Sequence, residues 1–357
     1  MKKIFKISAL FLAFIMLASF SDVPKTKGER WDWAYSYVSN ASELGLMIGD
    51  GDGYFRPGDS TSKEETAIII YRILNYGTDK MTPAARALTP EEAELLARCQ
   101  ISDWAQLYLL DGFASGFWTE ADFAERTAEK TAGKMPLPRQ KVSEWLVKAN
   151  SIRTSFLSVL SFADASGISP QAFPYVDACY RTGLMIGDDE NKFNPANGVN
   201  RAEMAVILTR MRALAADGSE AAAKAEVYGV LGAGSAPGMF SSSGGGSTKT
   251  VYVDPSSVIV LDGAKADLSA VAALAGRSVT LSTVIGSNIV VAQTRPRVLS
   301  GTVQSVENRG SFDIVTVNLG DVSVPYIRNQ ETNCGASLAA GTSIRFISDG
   351  SNLLEIN

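Results

Sequence analysis

Apolar residues recur at helical spacing in two neighbouring stretches near the start of the chain. Between Trp33 and Leu44 they lie three or four residues apart, which predicts a helix that buries one face. Gly45 follows where a helix-ending glycine is expected. A glycine- and aspartate-rich loop comes next, and a second helical pattern runs from Ser62 to Leu74. The pattern predicts a helix–loop–helix unit.

This unit recurs 138 residues later, because the segment GLMIGD at Gly45 returns at Gly183 and the match continues in register to Glu203. The glycines of the two copies are interpreted as turn and packing residues: Gly45, Gly49, Gly183 and Gly187. The second helix of each copy begins with a capping box, which pairs Ser62 with Glu65 and Asn200 with Glu203. We interpret both glutamates as helix caps and not as catalytic acids.

A weaker copy lies between these two, because Asp-Trp-Ala at Asp32 returns at Asp103 and a basic helix start returns at Arg139. The capping residues are missing there, and the run from Gly112 to Gly116 replaces the aspartate-rich loop. We place repeats at 31–76, 102–150 and 162–213. Repeats of this size bury apolar surface by packing on one another, which predicts a helical bundle.

The combined motifs resemble the S-layer homology repeat: Trp-Ala, Gly-xxx-Gly, Asp-Gly-x-Phe-x-Pro and a basic residue after the helix cap. The resemblance covers residues 31–213 and implies a pseudo-threefold bundle. It also implies that grooves in this bundle bind a secondary cell-wall polymer, a pyruvylated amino-sugar glycan, and so anchor the protein non-covalently to the wall.

The ligand candidates in these grooves are Trp33, Asp52, Lys63, Trp104, Arg139 and Arg201. A helix N-terminus offers unpaired N–H groups to a carboxylate, and the three basic residues lie in such first turns. Arginine can hold a carboxylate with two bonds, so Arg201 is expected to bind better than Lys63. The alternatives are solvated surface charges for the basic residues and core packing for the tryptophans. The third copy has Gln171 in place of the tryptophan.

Composition removes several classes of function. The chain contains no histidine, which excludes Ser-His-Asp and Cys-His catalysis and His-containing metal sites. Three cysteines, Cys99, Cys179 and Cys334, are too scattered for a disulfide framework and are expected as small core residues. A net charge of −5 argues against nucleic acid as a partner. The Asp-Gly run at 50–53 lacks the third oxygen ligand of a calcium loop, so neither metal nor cofactor is expected.

The first residues predict export. Lysines at the start precede an apolar run from Ile7 to Phe20, which is typical of a signal peptide. We expect the signal peptide to span residues 1–21, with cleavage after Ser21; cleavage after Ala18 is the alternative. An uncleaved anchor helix is the other interpretation, but the run is short for a membrane span. We expect a secreted protein of the cell wall, S-layer or cell surface, without a membrane span.

The remaining sequence predicts a short helix and a Gly/Ser linker at 218–247, followed by a β-rich domain at 248–357. Short alternating runs bounded by Gly, Asn and Asp indicate a small all-β sandwich or barrel there. No enzyme is expected, because this part contains no evident catalytic pair. Two rival functions stay open: a wall-targeted enzyme with activity in the C-terminal domain, and a self-assembling surface-array subunit. The sequence names no partner for the β-rich domain.

Overall fold

A computed structural model describes residues 31–49, 55–124, 132–217, 224–335 and 338–357. The chain divides into two compact units. The helical unit contains the described residues up to Ile152, with Gly183–Met185 and Pro195–Ser219. The β unit contains Arg153–Thr182, Ile186–Asn194 and Glu220–Asn357. The predicted signal peptide and Asp52 lie outside the described residues.

The helical unit is built from helices joined by loops and short 3-10 turns. Its helices are α1 (Tyr35–Glu43), α2 (Lys63–Leu74), α3 (Pro90–Cys99), α4 (Gln106–Ser115), α5 (Arg139–Ala149) and α7 (Arg201–Asp217), whereas α6 (Phe173–Arg181) belongs to the β unit. The buried side chains of α2, among them Ile69 and Ile70, come from the apolar stripe that the sequence predicts. The first turns of α2 and α7 have reciprocal cap bonds, Ser62 with Glu65 and Asn200 with Glu203.

The glycine-rich run of the middle copy is helical, which corrects its interpretation as a loop. Gly112 lies inside α4, and a Cβ atom there would be 1.8 Å from the ring of Trp118. The glycine is needed because this fully buried indole packs directly on the helix backbone. Gly116 ends the helix with a φ of +71°, as a C-terminal glycine does.

Three short segments before α2, α5 and α7 pair with one another in a closed cycle. Ser60 pairs with Asn200, Ser62 with Pro136, and Pro138 with Gly198, each as an antiparallel bridge. Each segment therefore uses its first residue to contact one neighbour and its last residue to contact the other. This cycle fixes the starts of the three helices around a common centre.

The β unit contains a sheet of eight strands within the described residues. Their order is β1 (Leu157–Leu160), β4 (Ser247–Val253), β3 (Met239–Gly244), β2 (Lys224–Ala233), β7 (Ser278–Val284), β8 (Ile289–Gln293), β5 (Val258–Leu261) and β6 (Ala264–Ala266). Strand β5 runs parallel to β8, and the other pairs are antiparallel. Alternate side chains serve two cores: Ile259 packs with the short helix α8 (Leu268–Ala272), while Val260 packs with the next sheet.

The second sheet closes into a barrel of five strands. They are β9 (Arg297–Asn308), β10 (Asp313–Asn318), β11 (Ser323–Arg328), β14 (Asn352–Ile356) and β13 (Ser343–Asp349), and the short β12 (Asn333–Cys334) pairs with the last two residues of β14. A parallel contact between β11 and β14 closes the ring. Its core includes Tyr326 and Phe346, whose ring centroids are 5.1 Å apart. A helical N-terminal part and a β-rich C-terminal part are thus confirmed.

The predicted Gly/Ser linker is wrong from residue 224 onward, and the predicted short helix that starts at 218 lies outside the described residues up to 223. Alternating burial in β2 places Ala225, Val227 and Leu231 in the core. Gly245 and Gly246 connect β3 to β4, with φ values of +59° and +80°, and the type I′ hairpin turn requires positive φ at both of its central positions. These glycines therefore make a tight turn rather than a flexible spacer.

Two further expectations concern cysteine and the membrane. Cys99 and Cys179 are buried as expected, but Cys334 is exposed on β12, and the three form no disulfide. Both residues of β12 are exposed, so Cys334 is not a core residue. In the described part of the chain, each helix is too short or too polar to cross a membrane.

Candidate functional site

An open pocket of about 540 Å³ lies in the helical unit. The loop after α1, helix α2, helix α4 with the residues before it, and the start of α7 each contribute to its walls. The lining residues are Met47, Ile48, Gly49, Phe55, Arg56, Asp59, Ser60, Glu65, Ile68, Ile69, Arg72, Trp104, Tyr108 and Arg201. All three predicted repeats therefore supply side chains to one pocket.

Arg201 holds one wall of this pocket together. Its Nε donates to the carbonyl oxygen of Phe55 at 2.6 Å, and one terminal nitrogen donates to the carbonyl of Ile48 at 2.7 Å. The other terminal nitrogen lies 3.2 Å from a carboxylate oxygen of Glu65. The guanidinium also stacks on the Phe55 ring, 4.6 Å from its centroid. Arg201 thus ties the start of α7 to the loop that forms the pocket.

The predicted docking of a carboxylate on helix N-termini is wrong for α7. The N–H of Arg201 donates to Asp59 O at 2.9 Å, and the N–H of Ala202 donates to Pro57 O at 3.0 Å. The next N–H, that of Glu203, is bonded to its cap Asn200 at 2.8 Å. Because the first three donors are already used, an anion in the pocket must be met by side chains.

The same kind of bond occurs at the other two helix starts. The N–H of Lys63 donates to Met135 O, and those of Arg139 and Gln140 donate to Asn197 O and Pro195 O. Carbonyl groups of a neighbouring segment therefore satisfy the donors that a helix start leaves open. The bridging cycle described above brings these carbonyls into place.

Lys63 and Arg139 are not among the residues that line the pocket. Lys63 is 3% exposed, and its Nζ donates to the carbonyl of Asp122 at 2.8 Å. Arg139 forms an ion pair with Glu203 at 2.8 Å. Both basic groups connect the start of one helix to an adjacent segment, as Arg201 does. Neither is the solvated charge that was the alternative interpretation.

A further basic group lies beside Lys63. Lys141 pairs with Asp122 at 2.6 Å and with Glu144 at 2.7 Å. Burial alone would lower the pKa of Lys141, but its bonds to Asp122 and Glu144 outweigh burial and raise that pKa. Its positive charge is thus stabilised by the chain's own carboxylates.

The two candidate tryptophans differ in their surroundings. Trp104 lines the pocket with 57% of its surface exposed, whereas Trp33 is 53% exposed and packs near Trp31, with ring centroids 6.4 Å apart. An exposed indole face is suited to the apolar face of a sugar ring. Only Trp104 of this pair can present such a face to the pocket.

Arg72 and Tyr108 line the pocket beside Trp104, and the sequence analysis did not select them. The guanidinium of Arg72 lies 5.4 Å from the centroid of the Tyr108 ring, and a terminal nitrogen is 3.4 Å from its hydroxyl oxygen. Tyr71 packs edge-on against the same ring, and burial followed by the charge of Asp111 raises the pKa of Tyr71. The repeat offset could have revealed Arg72, because Arg210 lies 138 residues later.

Basic side chains outnumber acidic ones among the described residues that line the pocket. Three arginines and two carboxylates are found there, although the chain carries a net charge of −5. Gly49 also lines the pocket, while Gly45, Gly183 and Gly187 have positive φ values and make turns. In the described residues, no group of three or more acidic, Cys or His side chains could hold a metal ion.

Comparison with known proteins places two segments in one family. Residues 19–67 and 161–205 match the model described as the S-layer homology domain. These segments include Glu65 and Arg201, whereas Arg72, Trp104 and Tyr108 lie outside them. The resemblance seen in the first and third copies is thereby confirmed.

Curated relatives share this region. "Outer membrane protein SlpA" of Thermus thermophilus is 33% identical over 85 residues, which are 22% of this chain and 9% of the relative. "Outer membrane protein alpha" of Thermotoga maritima is 33% identical over 87 residues, which are 24% of this chain and 20% of the relative. The chain thus spans a small part of the curated relatives that it matches. The matches indicate a location at the cell surface or cell wall.

Proposed function

Since this chain is a cell-surface protein with S-layer homology domains, we propose that it anchors itself non-covalently to the cell wall by binding a secondary wall polymer. The observation that carries the proposal is the pocket of the helical unit, which places Trp104 beside three arginines. An exposed indole and guanidinium groups are the side chains that an acidic sugar requires.

The proposed ligand is a glycan of pyruvylated amino sugars. A ketal-linked pyruvate carries a carboxylate, which matches the excess of arginine over acidic side chains among the described residues of the pocket. The sugar ring would lie against Trp104, and its acetyl group would contact apolar atoms such as those of Ile48, which is 44% exposed. Arg201 would keep the loop in the shape that admits the ligand.

We also propose that the three segments at 31–76, 102–150 and 162–213 are repeats of one unit arranged about a pseudo-threefold axis. The cyclic pairing of Ser60 with Asn200, Ser62 with Pro136 and Pro138 with Gly198 supports this arrangement. The contacts of Lys63, Arg139 and Arg201, each with an adjacent segment, support it too. The middle segment lies outside the matched family regions and is the divergent member.

The test is sedimentation of the full chain with purified cell walls. We expect co-sedimentation with walls that carry the secondary polymer, and loss of binding after the polymer is extracted. Mild acid hydrolyses a ketal while it leaves the peptidoglycan network in place, so acid-treated walls should bind less if pyruvate is recognised. Equal binding to intact and polymer-free walls would refute the proposal.

Trp104 and Trp33 provide a matched pair of variants, because both are more than half exposed. Trp104→Ala should weaken wall binding about ten-fold, the usual effect of losing an aromatic stacking contact. Trp33→Ala should bind like the natural chain, since Trp33 is not part of the pocket wall. The reverse result would move the site to Trp33. Neither change should lower the melting temperature much, because little buried surface is lost.

A further inference from the structure

Three basic residues occupy equivalent positions near the ends of the second helices. Arg72 of α2 corresponds to Lys148 of α5 and to Arg210 of α7, because Ser60, Pro136 and Gly198 start the three pairing segments. The side chains at these three positions are each partly exposed. The comparison of their partners separates Arg72 from the other two.

Lys148 and Arg210 each have a closer partner in the chain, and neither lines the pocket. The Nζ of Lys148 lies 2.6 Å from a carboxylate oxygen of Glu144. The guanidinium of Arg210 donates to the carbonyl of Leu184 at 3.2 Å. At least one donor of each side chain is therefore used within the protein.

Arg72 has no ion-pair partner among the described residues, and its hydrogen bond to the Tyr108 hydroxyl is long at 3.4 Å. The ring of Tyr108 supports the guanidinium by a cation–π contact. The planar group is thus held in place at the wall of the pocket.

Arg201 is in the opposite situation, because each of its three nitrogens donates to the chain itself. A ligand carboxylate that took these donors would have to displace Ile48 O, Phe55 O or Glu65. Breaking those bonds would remove the hydrogen bonds that hold the loop against the start of α7. Arg201 is therefore a positioning residue for the pocket.

We propose that Arg72 is the group that binds the carboxylate of the wall glycan, with two parallel N–H···O bonds, while Trp104 carries the sugar ring. This inference rests on the proposed function and names the anion contact within it. Planar guanidinium matches a carboxylate in geometry, and lysine does not. The site is formed by one helix of the first copy and one aromatic pair of the second.

The test measures binding of the full chain to polymer-bearing walls at several salt concentrations. Arg72→Gln should weaken binding about ten-fold, as loss of a charge-assisted contact does, and it should flatten the salt dependence because one ionic contact is gone. The matched control Arg210→Gln should change affinity by no more than about two-fold. A merely structural role for Arg72 would leave the salt dependence unchanged.

Arg72→Lys is the second variant. It keeps a positive charge beside the Tyr108 ring, so we expect this variant to fold like the natural chain. It should retain the salt dependence but bind more weakly than the natural chain, because an ammonium group cannot form the paired bonds. Natural affinity in Arg72→Gln or in Arg72→Lys would overturn the inference, as would equal losses in Arg72→Gln and Arg210→Gln. If the natural chain itself failed to bind walls, both the proposed function and this inference would be wrong. If the natural chain bound walls and the Arg72→Gln variant bound them with the same affinity, the inference alone would be wrong.

Discussion

A lysine in the first turn of a helix can bind a ligand or stabilise the fold, and Lys63 stabilises the fold. Its ammonium group is buried and donates to the carbonyl of Asp122, a residue far away in sequence. Burying an ammonium group is costly unless its hydrogen bonds are satisfied. The contact therefore stabilises the junction between two segments of the helical unit.

Replacing Lys63 by Met should lower the free energy of unfolding by about 1–3 kcal/mol, because the carbonyl of Asp122 loses a donor in a buried place. Wall binding by the folded protein should stay unchanged, since Lys63 does not line the pocket. Unfolding can be followed by tryptophan fluorescence, because all five tryptophans lie between Trp31 and Trp145. Lys80→Met is the control, as Lys80 is exposed. Lost binding with unchanged stability would restore Lys63 as a ligand contact.

Sequence reasoning at this scale succeeds for local contacts and fails for distant ones. The bonds between Ser62 and Glu65 join residues three positions apart, so spacing alone predicts them. The acceptors of the Arg201 guanidinium lie 136 to 153 positions away, and spacing cannot reveal them. The structure was therefore needed to identify Arg201 as a positioning residue and Arg72 as the candidate anion contact.

The hairpins of the β unit show why glycine content misled the prediction of a linker. Gly229 faces β3 so closely that a Cβ atom would lie 2.7 Å from Ser243 O and 2.5 Å from Ser242 Oγ. A glycine at such a close approach is a packing requirement. Composition shows only that glycine is present and does not show whether the segment is extended. The alternating burial of side chains along β2 is what identifies the strand.

Gly229→Ala should therefore destabilise the β unit by about 1–3 kcal/mol, the range found for overpacked positions. Gly232→Ala is the matched control in the same strand, because its added Cβ would meet a movable side chain, Ser241 Oγ at 2.4 Å. Urea unfolding followed by far-UV circular dichroism includes the strands of this unit, and tryptophan fluorescence follows the helical unit separately, because the β unit has no tryptophan. Equal stability of the two variants would show that the backbone approach can relax.

At the scale of the whole molecule, the order of elements along the chain is not their order in the sheet. Strand β1 precedes α6 and α7 in sequence, yet it pairs with β4 over Leu157 to Leu160. Sequence analysis assigned this stretch to the boundary between repeats and predicted no strand there. A four-residue strand whose partner comes after two helices and two strands leaves too weak a local signal.

This pairing predicts the behaviour of a shortened protein. A chain that ends at Asp217 lacks β4 and the core into which Leu157 fits, a side chain that is fully buried in the complete protein. The shortened chain should therefore expose apolar surface, bind a hydrophobic dye and self-associate in size-exclusion chromatography. Replacing Leu157 by Ser should reduce dye binding by the shortened chain, yet lower the melting temperature of the full chain. A shortened chain that is monomeric and binds no dye would show that β1 refolds without its sheet, and wall-binding experiments could then use the shorter protein. Until that result is obtained, the full chain is the correct material, because loss of binding by a truncated protein would not distinguish a missing ligand contact from a disrupted β unit.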